Sequence, residues 1–344
     1  MNGFISSRRN FLMGAATAAG SLCAPALAFG QSVKPIRLRV SSSLTTDEFS
    51  EHYVWFRRFA DNLQASVGER IKLDYFPNGQ LGAENDVAQQ VKTGTVDIMI
   101  SGSSYWATVV PEVGMLDLGY LFDSYDQQKR HLHGAVGKRL AQVVYDRSKV
   151  TILGWTSTFG ARNIYTKKPV ASLADVKNVK IRVLPAPTFI QTIEAMGAIP
   201  TPIAMNELYT ALQTGIVDGF EQNAGTVLGM KLYETTKNCY LSEHMFLPIS
   251  AAASPRVIST MPADLLPAFL QAAQEASVYQ YAETPAKVQK ATDELVKLGV
   301  KYSPMTPGDR KAVRQEVTRK VWDPFTDKYP LTKPLIAEID NDRT

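Results

Sequence analysis

Residues 179–222 read VKIRVLPAPTFIQTIEAMGAIPTPIAMNELYTALQTGIVDGFEQ, and this stretch decides the fold. Val179, Ile181 and Val183 alternate with Lys180 and Arg182, the period of two that marks a half-buried strand, and Pro185 ends it. Thr188 then opens a helix with capping-box spacing to Gln191, in which Phe189, Ile193 and Met196 recur at helical spacing until Gly197 stops it. A second strand is predicted over 198–204 and a helix from Asn206, with Leu208, Ala211 and Leu212 on one face and Gly215 past its end. Residues 216–220 read as a third strand. Alternating strands and helices are the grammar of a parallel α/β sheet, whose ligands sit beyond the carboxyl ends of the strands. Arg182 lies near such an end.

Working outward, the helix and strand around Gly215 have an earlier counterpart. Residues 85–97 line up at a constant offset with 206–218: helix, then Thr93-Gly94 matching Thr214-Gly215, then Val96-Asp97 matching Val217-Asp218. The same supersecondary unit used twice predicts two similar lobes. Asp97 and Asp218 could be read as a catalytic acid pair, yet equivalent positions in two lobes are more simply explained by acids that hold the turn after the glycine.

Ahead of the first copy, residues 36–41 (IRLRVS) alternate like a strand and run into a polar segment, 41–46. Asp47 is placed to cap the following helix, with Phe49, Tyr53, Phe56, Phe59 and Leu63 at helical spacing. Ser42, Ser43 and Thr45 stand at the end of strand one before a helix N-terminus, where they can bind an anionic or hydroxylated ligand or simply satisfy turn donors. Residues 71–76 read as strand two and 96–100 as strand three, ending at Ser101-Gly102-Ser103-Ser104. A further strand over 150–155 runs into a polar crossing, 156–163, that suits a hinge. Residues 251–254 read as a strand returning to the first lobe. Residues 262–298 form a long alanine-rich helical region, with a kink or break expected at Pro285, and the tail with Trp322 and Phe325 is expected to pack on the second lobe.

At 344 residues the chain exceeds the usual single-domain length, and 45% hydrophobic with 20% charged residues is ordinary for a globular protein. Ser7-Arg8-Arg9-Asn10-Phe11-Leu12 resembles the twin-arginine export motif, followed by a short apolar run and an Ala26-x-Ala28 cleavage signal. Residues 1–28 are therefore read as a cleaved signal peptide, and Leu22 ahead of Cys23 argues against a lipid anchor. Cleavage leaves 35 basic against 33 acidic side chains, a net charge of +2, with no electrostatic footprint for nucleic acid. Cys239 is then alone, which excludes a disulfide framework and a thiolate metal site. His131 and His133, two apart, do not have the spacing of a two-histidine metal face on a helix. Neither G-x-S-x-G, H-E-x-x-H nor a glycine-rich phosphate loop occurs, so an exported enzyme finds no support and no cofactor is expected.

The stretch K-I-R-V, then P-T-P-I-A-M-N-E-L-Y-T-A-L-Q-T-G-I-V-D-G-F-E, resembles the core of the substrate-binding proteins of TRAP transporters, the DctP family. The segment F-P-N-G-Q-L-G at 76–82 is similar too. The resemblance implies a two-lobed α/β fold of the periplasmic-binding-protein type: each lobe a mixed sheet flanked by helices, a ligand cleft between them, and a long helix spanning both. It places lobe I at 35–158 plus about 250–284, and lobe II at 159–249 plus about 285–344. It further implies a periplasmic protein, a monomer, that closes on a small organic acid and delivers it to the membrane permease subunits of a TRAP transporter. A binding protein of an ATP-driven importer or a sensor shares the architecture and is the alternative.

In that family the arginine of the K-x-R-V strand binds the ligand carboxylate, and here it is Arg182. A second family arginine matches Arg162, whose other readings are a lobe-closing ion pair or a surface charge. Many members carry asparagine directly after the glutamate, whereas this chain reads Glu221-Gln222-Asn223, so either Gln222 or Asn223 faces the ligand. Trp106, Trp155, Phe159 and Phe220 fall near strand ends or the hinge, as aromatic walls or as core. Sialate-binding members place an acid near the position of Ser101-Gly102-Ser103, which disfavours sialate. The ligand expected from these residues is a small or medium carboxylate, a 2-oxo or aromatic acid over a sugar acid.

Overall fold

Apolar residues concentrate in eleven strands among residues 34–343, the part of the chain that this computed structural model describes. In chain order they are β1 (Ile36–Ser41), β2 (Ile71–Phe76), β3 (Ile98–Gly102), β4 (Thr151–Ser157), β5 (Arg162–Thr166) and β6 (Lys180–Val183). β7 (Ile199–Pro202), β8 (Gly219–Gln222), β9 (Asn238–Met245), β10 (Pro248–Ala253) and β11 (Lys301–Pro304) complete the set. Around them run α1 (Glu51–Val67), α2 (Glu84–Thr93), α3 (Tyr125–His133), α4 (Ala135–Ser148), α5 (Pro187–Ala195) and α6 (Leu208–Thr214). The later helices are α7 (Ala224–Gly229), α8 (Pro255–Thr260), α9 (Leu266–Lys297), α10 (Pro307–Val317), α11 (Asp323–Lys328) and α12 (Lys333–Asn341). The expected export signal, residues 1–28, lies outside the described residues.

The strands sort into two mixed sheets, β2-β1-β3-β10-β4 and β11-β9-β5-β8-β6-β7. Each holds three parallel neighbours, β2-β1-β3 and β7-β6-β8, and then an antiparallel strand, β10 or β5. The chain passes from the first sheet to the second between β4 and β5, through the polar crossing read as a hinge, and returns between β9 and β10. A mixed two-lobed α/β architecture is the outcome the sequence predicts.

The repeat is real at the level of backbone. Gly94 and Gly215 both close their helices in the left-handed region, at φ 82° and 76°, where a side chain would strain the turn. Asp97 accepts the backbone N–H of Arg39 on β1 at 2.8 Å and pairs with Arg256. Asp218 accepts that of Lys180 on β6 at 3.1 Å. Each acid thus pins the start of its own strand to the central strand of its parallel trio, the structural alternative to a catalytic pair. In register, Ser41 opposes Met99 and Arg182 opposes Phe220, so Arg182 occupies in the second sheet the place of Ser41 in the first.

Several local expectations are corrected. The cap of α1 is Ser50, whose side chain accepts from Tyr53 N–H, while Asp47 turns inward to Phe49 N–H. Thr188 does not cap α5: Ala186 is the cap position and Pro187, which lacks an N–H, takes the first helical position, two residues earlier than a Thr188 cap would give. β8 begins at Gly219 instead of 216, because Ile216 N–H closes the helix turn onto Ala211 O at 3.0 Å and is not free for a ladder. The α9 helix runs 32 residues through Pro285 without a break.

That long helix ties the halves together. Phe269, Ala272, Ala273 and Ala276 pack with Trp55 and Phe59 of α1 under the first sheet, and Ala291 and Leu295 join Leu208, Val217 and Cys239 in the core of the second. Alanines let the helix lie close, and Trp55 Nε1 donates to Ser277 Oγ at 2.9 Å. The tail meets more than the second lobe. Trp322 Nε1 donates to Gly119 O at 3.0 Å and Gln127 Nε2 to Ile339 O at 3.0 Å, so it leans on the segment after β3 as well as on α5.

Candidate functional site

Strand ends converge on one place. The residues just past the carboxyl ends of β1 (Ser43, Leu44), β4 (Thr158) and β6 (Leu184), with the last residues of β3 (Gly102) and β8 (Gln222), line a narrow cavity. Arg162 and Ile249 enter from the starts of the antiparallel strands β5 and β10. This is where parallel α/β sheets place ligands, because helix N-termini and open strand ends face it.

Arg182 sits at this end of β6, 0% exposed. Its Nε donates to Ile203 O at 2.8 Å, and Nη1 and Nη2, both buried, have no partner among the described residues. Burial pulls the guanidinium below its ordinary pKa, opposed by the nearby Tyr105, Glu221 and Glu84 and reinforced by Arg162. A buried cation with two bare donors is costly by itself, so its fork is preset for an anion.

Arg162, by contrast, is already engaged. Nε pairs with the Glu221 carboxylate, Nη2 donates to Glu221 Oε1 at 2.9 Å and Glu221 O at 2.8 Å, and Nη1 to Gln222 Oε1 at 2.6 Å. Burial raises the Glu221 carboxyl, but the Arg162 charge and His244 outweigh it and hold the pKa below the usual range. The ion-pair reading of Arg162 and its place on the cavity wall are therefore both present in one residue.

Acids and a histidine that the sequence did not single out complete the wall. Glu84 on α2 accepts Ser43 Oγ at 2.6 Å, and its burial raises the carboxyl pKa. Glu51 on α1 accepts Asn223 Nδ2 at 3.2 Å and Thr226 Oγ1 at 3.4 Å, reaching from a helix of the first half to α7 of the second. Its Oε2 has no partner among the described residues, and burial pushes the carboxyl up to about 7. His52 is neutral, driven to about 3 by burial, with Nδ1 against Ser42 Oγ at 2.9 Å. Acids in the first turn of a helix read as dipole complements, and that hid Glu51 and Glu84.

The residues anticipated for the site divide accordingly. Ser43, Arg162 and Gln222 line the cavity, with Arg182 among their charged neighbours. Asn223 caps α7 through Thr226 N–H at 2.9 Å, so of the two amides Gln222 is the one on the cavity wall. Ser42 stands behind, bonded to His52, and Thr45 bonds Asp47 away from the wall. The aromatic residues are not on it. Trp106 and Trp155 belong to the main core, Phe220 stacks on Tyr165 with ring centroids 5.3 Å apart, and Phe159 is buried with its carbonyl on Gly225 N–H. The apolar wall is aliphatic instead: Leu44, Leu184, Met205, Leu247 and Ile249. Among the described residues no group of His, Cys, Asp and Glu is arranged to hold a metal ion.

Residues 42–328 match the family described as bacterial extracellular solute-binding protein, family 7, DctP. The 2,3-diketo-L-gulonate-binding periplasmic protein of Escherichia coli is 28% identical over 327 residues, 95% of this chain and 94% of its own. A TRAP periplasmic solute-binding protein of Chromohalobacter salexigens, solved with bound D-glucuronate, superposes with a TM-score of 0.83 at 25% identity, covering 89% of this chain and all of that one. The sugar acid binding protein of Advenella mimigardefordensis, in complex with galactonate, gives 0.83 at 25% identity over 90% of this chain and 99% of its own.

Proposed function

Because the chain belongs to family 7 of the bacterial extracellular solute-binding proteins, the DctP-type periplasmic binding proteins of TRAP transporters, we propose that it captures a sugar acid. The family is one of binding proteins and not of enzymes. The observation that carries the ligand class is the Arg182 guanidinium, buried with Nη1 and Nη2 unpartnered beside a wall of hydroxyl acceptors. A carboxylate meets the fork with two parallel charge-assisted bonds. Glu84 and Glu51 then offer oxygen atoms to the hydroxyl groups of a polyhydroxylated body, Gln222, whose oxygen is held by Arg162 and Asn223, offers its amide N–H, and Ser43 and Thr158 add groups that donate and accept.

This sets a sugar acid above the expected aromatic acid and leaves room for a 2-oxo group on the sugar acid, as in diketogulonate. Trp106, Phe159 and Phe220 lie in the interior, leaving no aromatic wall but Tyr105, and the lining is too polar for an apolar acid to enter without stranding Glu51 and Glu84. Relatives that bind glucuronate, galactonate and diketogulonate support the same class.

Binding draws on both halves, 35–158 plus about 250–284 and 159–249 plus about 285–344. Arg182 and Gln222 come from the second, and Ser43, Glu51 and Glu84 from the first. A ligand touching both favours the closed arrangement by its differential affinity, with the Glu51–Asn223 contact made on closing. The loaded monomer then delivers the acid to TRAP permease subunits, after export by the twin-arginine route.

Thermal-shift measurement with D-glucuronate, D-galactonate, D-glucose and pyruvate tests the ligand class. A sugar acid at a hundred times its dissociation constant stabilises the protein by about 2.7 kcal/mol. Glucose, lacking the carboxylate, gives no shift. A larger shift from pyruvate than from either sugar acid overturns the reading.

A further inference from the structure

A second cavity, of about 300 Å³, lies on the other side of the wall that bounds the arginine site. The two share no lining residue: Tyr105 and Leu184 face the first, Ser104 and Ala186 the second. Four elements enclose it. They are the 3₁₀ segments Ser103–Thr108 and Pro111–Asp117 that follow β3, the first turn of α5 that follows β6, and α11 of the tail. Its walls are thus anchored on both sheets.

The chemistry of the lining is one-sided. Phe325 and Tyr329, with ring centroids 4.9 Å apart, and three prolines make an apolar bed. No carboxylate lines it, and its one charged side chain is Lys328, which meets no carboxylate among the described residues and rests 5.4 Å over the Tyr329 ring. Helix α5 begins here at Pro187 with no side chain capping it, so its positive end adds to the same sign. Ser104 contributes backbone to this wall, its own hydroxyl being closed off from the groove.

We propose that this groove is a second ligand site, which takes an amphipathic carboxylate: an aromatic body on Phe325 and Tyr329, with its anionic head toward Lys328 and the start of α5. A body of phenylalkyl size suits about 300 Å³, and its head needs no arginine fork because Lys328 supplies a point charge that swings to meet it. The site rests on its own lining and not on the sugar-acid reading of the arginine cavity.

The test uses 4-phenylbutyrate as probe, titrated by calorimetry on the full mature chain, with D-glucuronate titrated in parallel on every variant. Saturable binding is expected in the wild type, within about threefold in Arg182→Met and in the presence of saturating glucuronate. Thr108→Trp, an exposed position on the rim, fills the groove and weakens the probe at least about tenfold while glucuronate binding stays unchanged. Lys328→Gln weakens it by about fivefold, the worth of one partly solvated charge pair. No saturation, displacement by glucuronate, loss of the probe in Arg182→Met, or indifference to Thr108→Trp would each overturn the proposal. Failure of glucuronate alone to bind, with the probe pattern intact, counts against the sugar-acid reading and leaves the second site standing.

Discussion

Replacing Arg182 by methionine keeps most of the side-chain volume and removes the fork, with opposite effects on the loaded and the empty protein. With a sugar acid bound, two charge-assisted hydrogen bonds of about 1.5–3 kcal/mol each are lost, and water returning to the carboxylate recovers part of that. The net loss of affinity is about 2–4 kcal/mol, roughly thirty- to several-hundred-fold. Without ligand the sign reverses. Arg182 makes a single bond, to Ile203 O at 2.8 Å, against two bare buried donors that each cost about 1–3 kcal/mol. The unliganded variant should be as stable as the wild type or more so. Calorimetry with D-glucuronate and urea denaturation without it measure the two quantities. Affinity within threefold of the wild type, or a ligand-free variant destabilised by more than about 2 kcal/mol, would refute the assignment of a preset but unpaired cation.

Arg182→Lys keeps the charge and loses the planar fork, so glucuronate affinity should fall about five- to thirtyfold, between wild type and Arg182→Met in the same calorimetric series. Glu51→Gln changes the pH dependence of stability. Between its unfolded value near 4.5 and about 7 the native chain keeps a proton that the unfolded chain has released, so stability falls as pH rises through that window, by up to about 3 kcal/mol. In Glu51→Gln this slope disappears, as thermal melts at pH 5 and 7.5 will show. Gln222→Ala should weaken ligand binding by about 1–2 kcal/mol, whereas Asn223→Ala removes the α7 cap and costs about 1 kcal/mol of stability, read from denaturation beside affinity. Asp97→Ala strands the Arg39 N–H and lowers stability by about 1–3 kcal/mol with no change in affinity, since its carboxylate serves the sheet and not the cavity.

The strands were legible because their signals are local. Lys180–Val183 and its glycine-stopped successors follow from periodicity, and the repeat at 85–97 and 206–218 predicts two similar lobes, which correspond to the two sheets. Periodicity places Arg182 only near a strand end; its carboxylate-binding role comes from the family resemblance. Caps were harder, since Asp47 and Ser50 both qualify in sequence and only the path of the chain into α1 chooses Ser50. The aromatic residues failed as site markers because position near a strand end does not fix depth. Phe220 packs in the core of the second sheet, while Gln222, two residues on along the same strand, reaches the cavity. Glu51 and Glu84 carried no signal at all. The significance of Glu51 arises from burial against Asn223 and Thr226 of the opposite half, and that of Glu84 from its approach to Ser43 across the strand ends, properties of the fold and not of either segment.

The most direct measurement is a crystal structure of the mature protein grown with D-glucuronate. The ligand carboxylate should lie within about 3 Å of both Nη1 and Nη2 of Arg182, with Glu221 still paired to Arg162. A carboxylate bound elsewhere, with the Arg182 fork turned from it, would contradict the assignment.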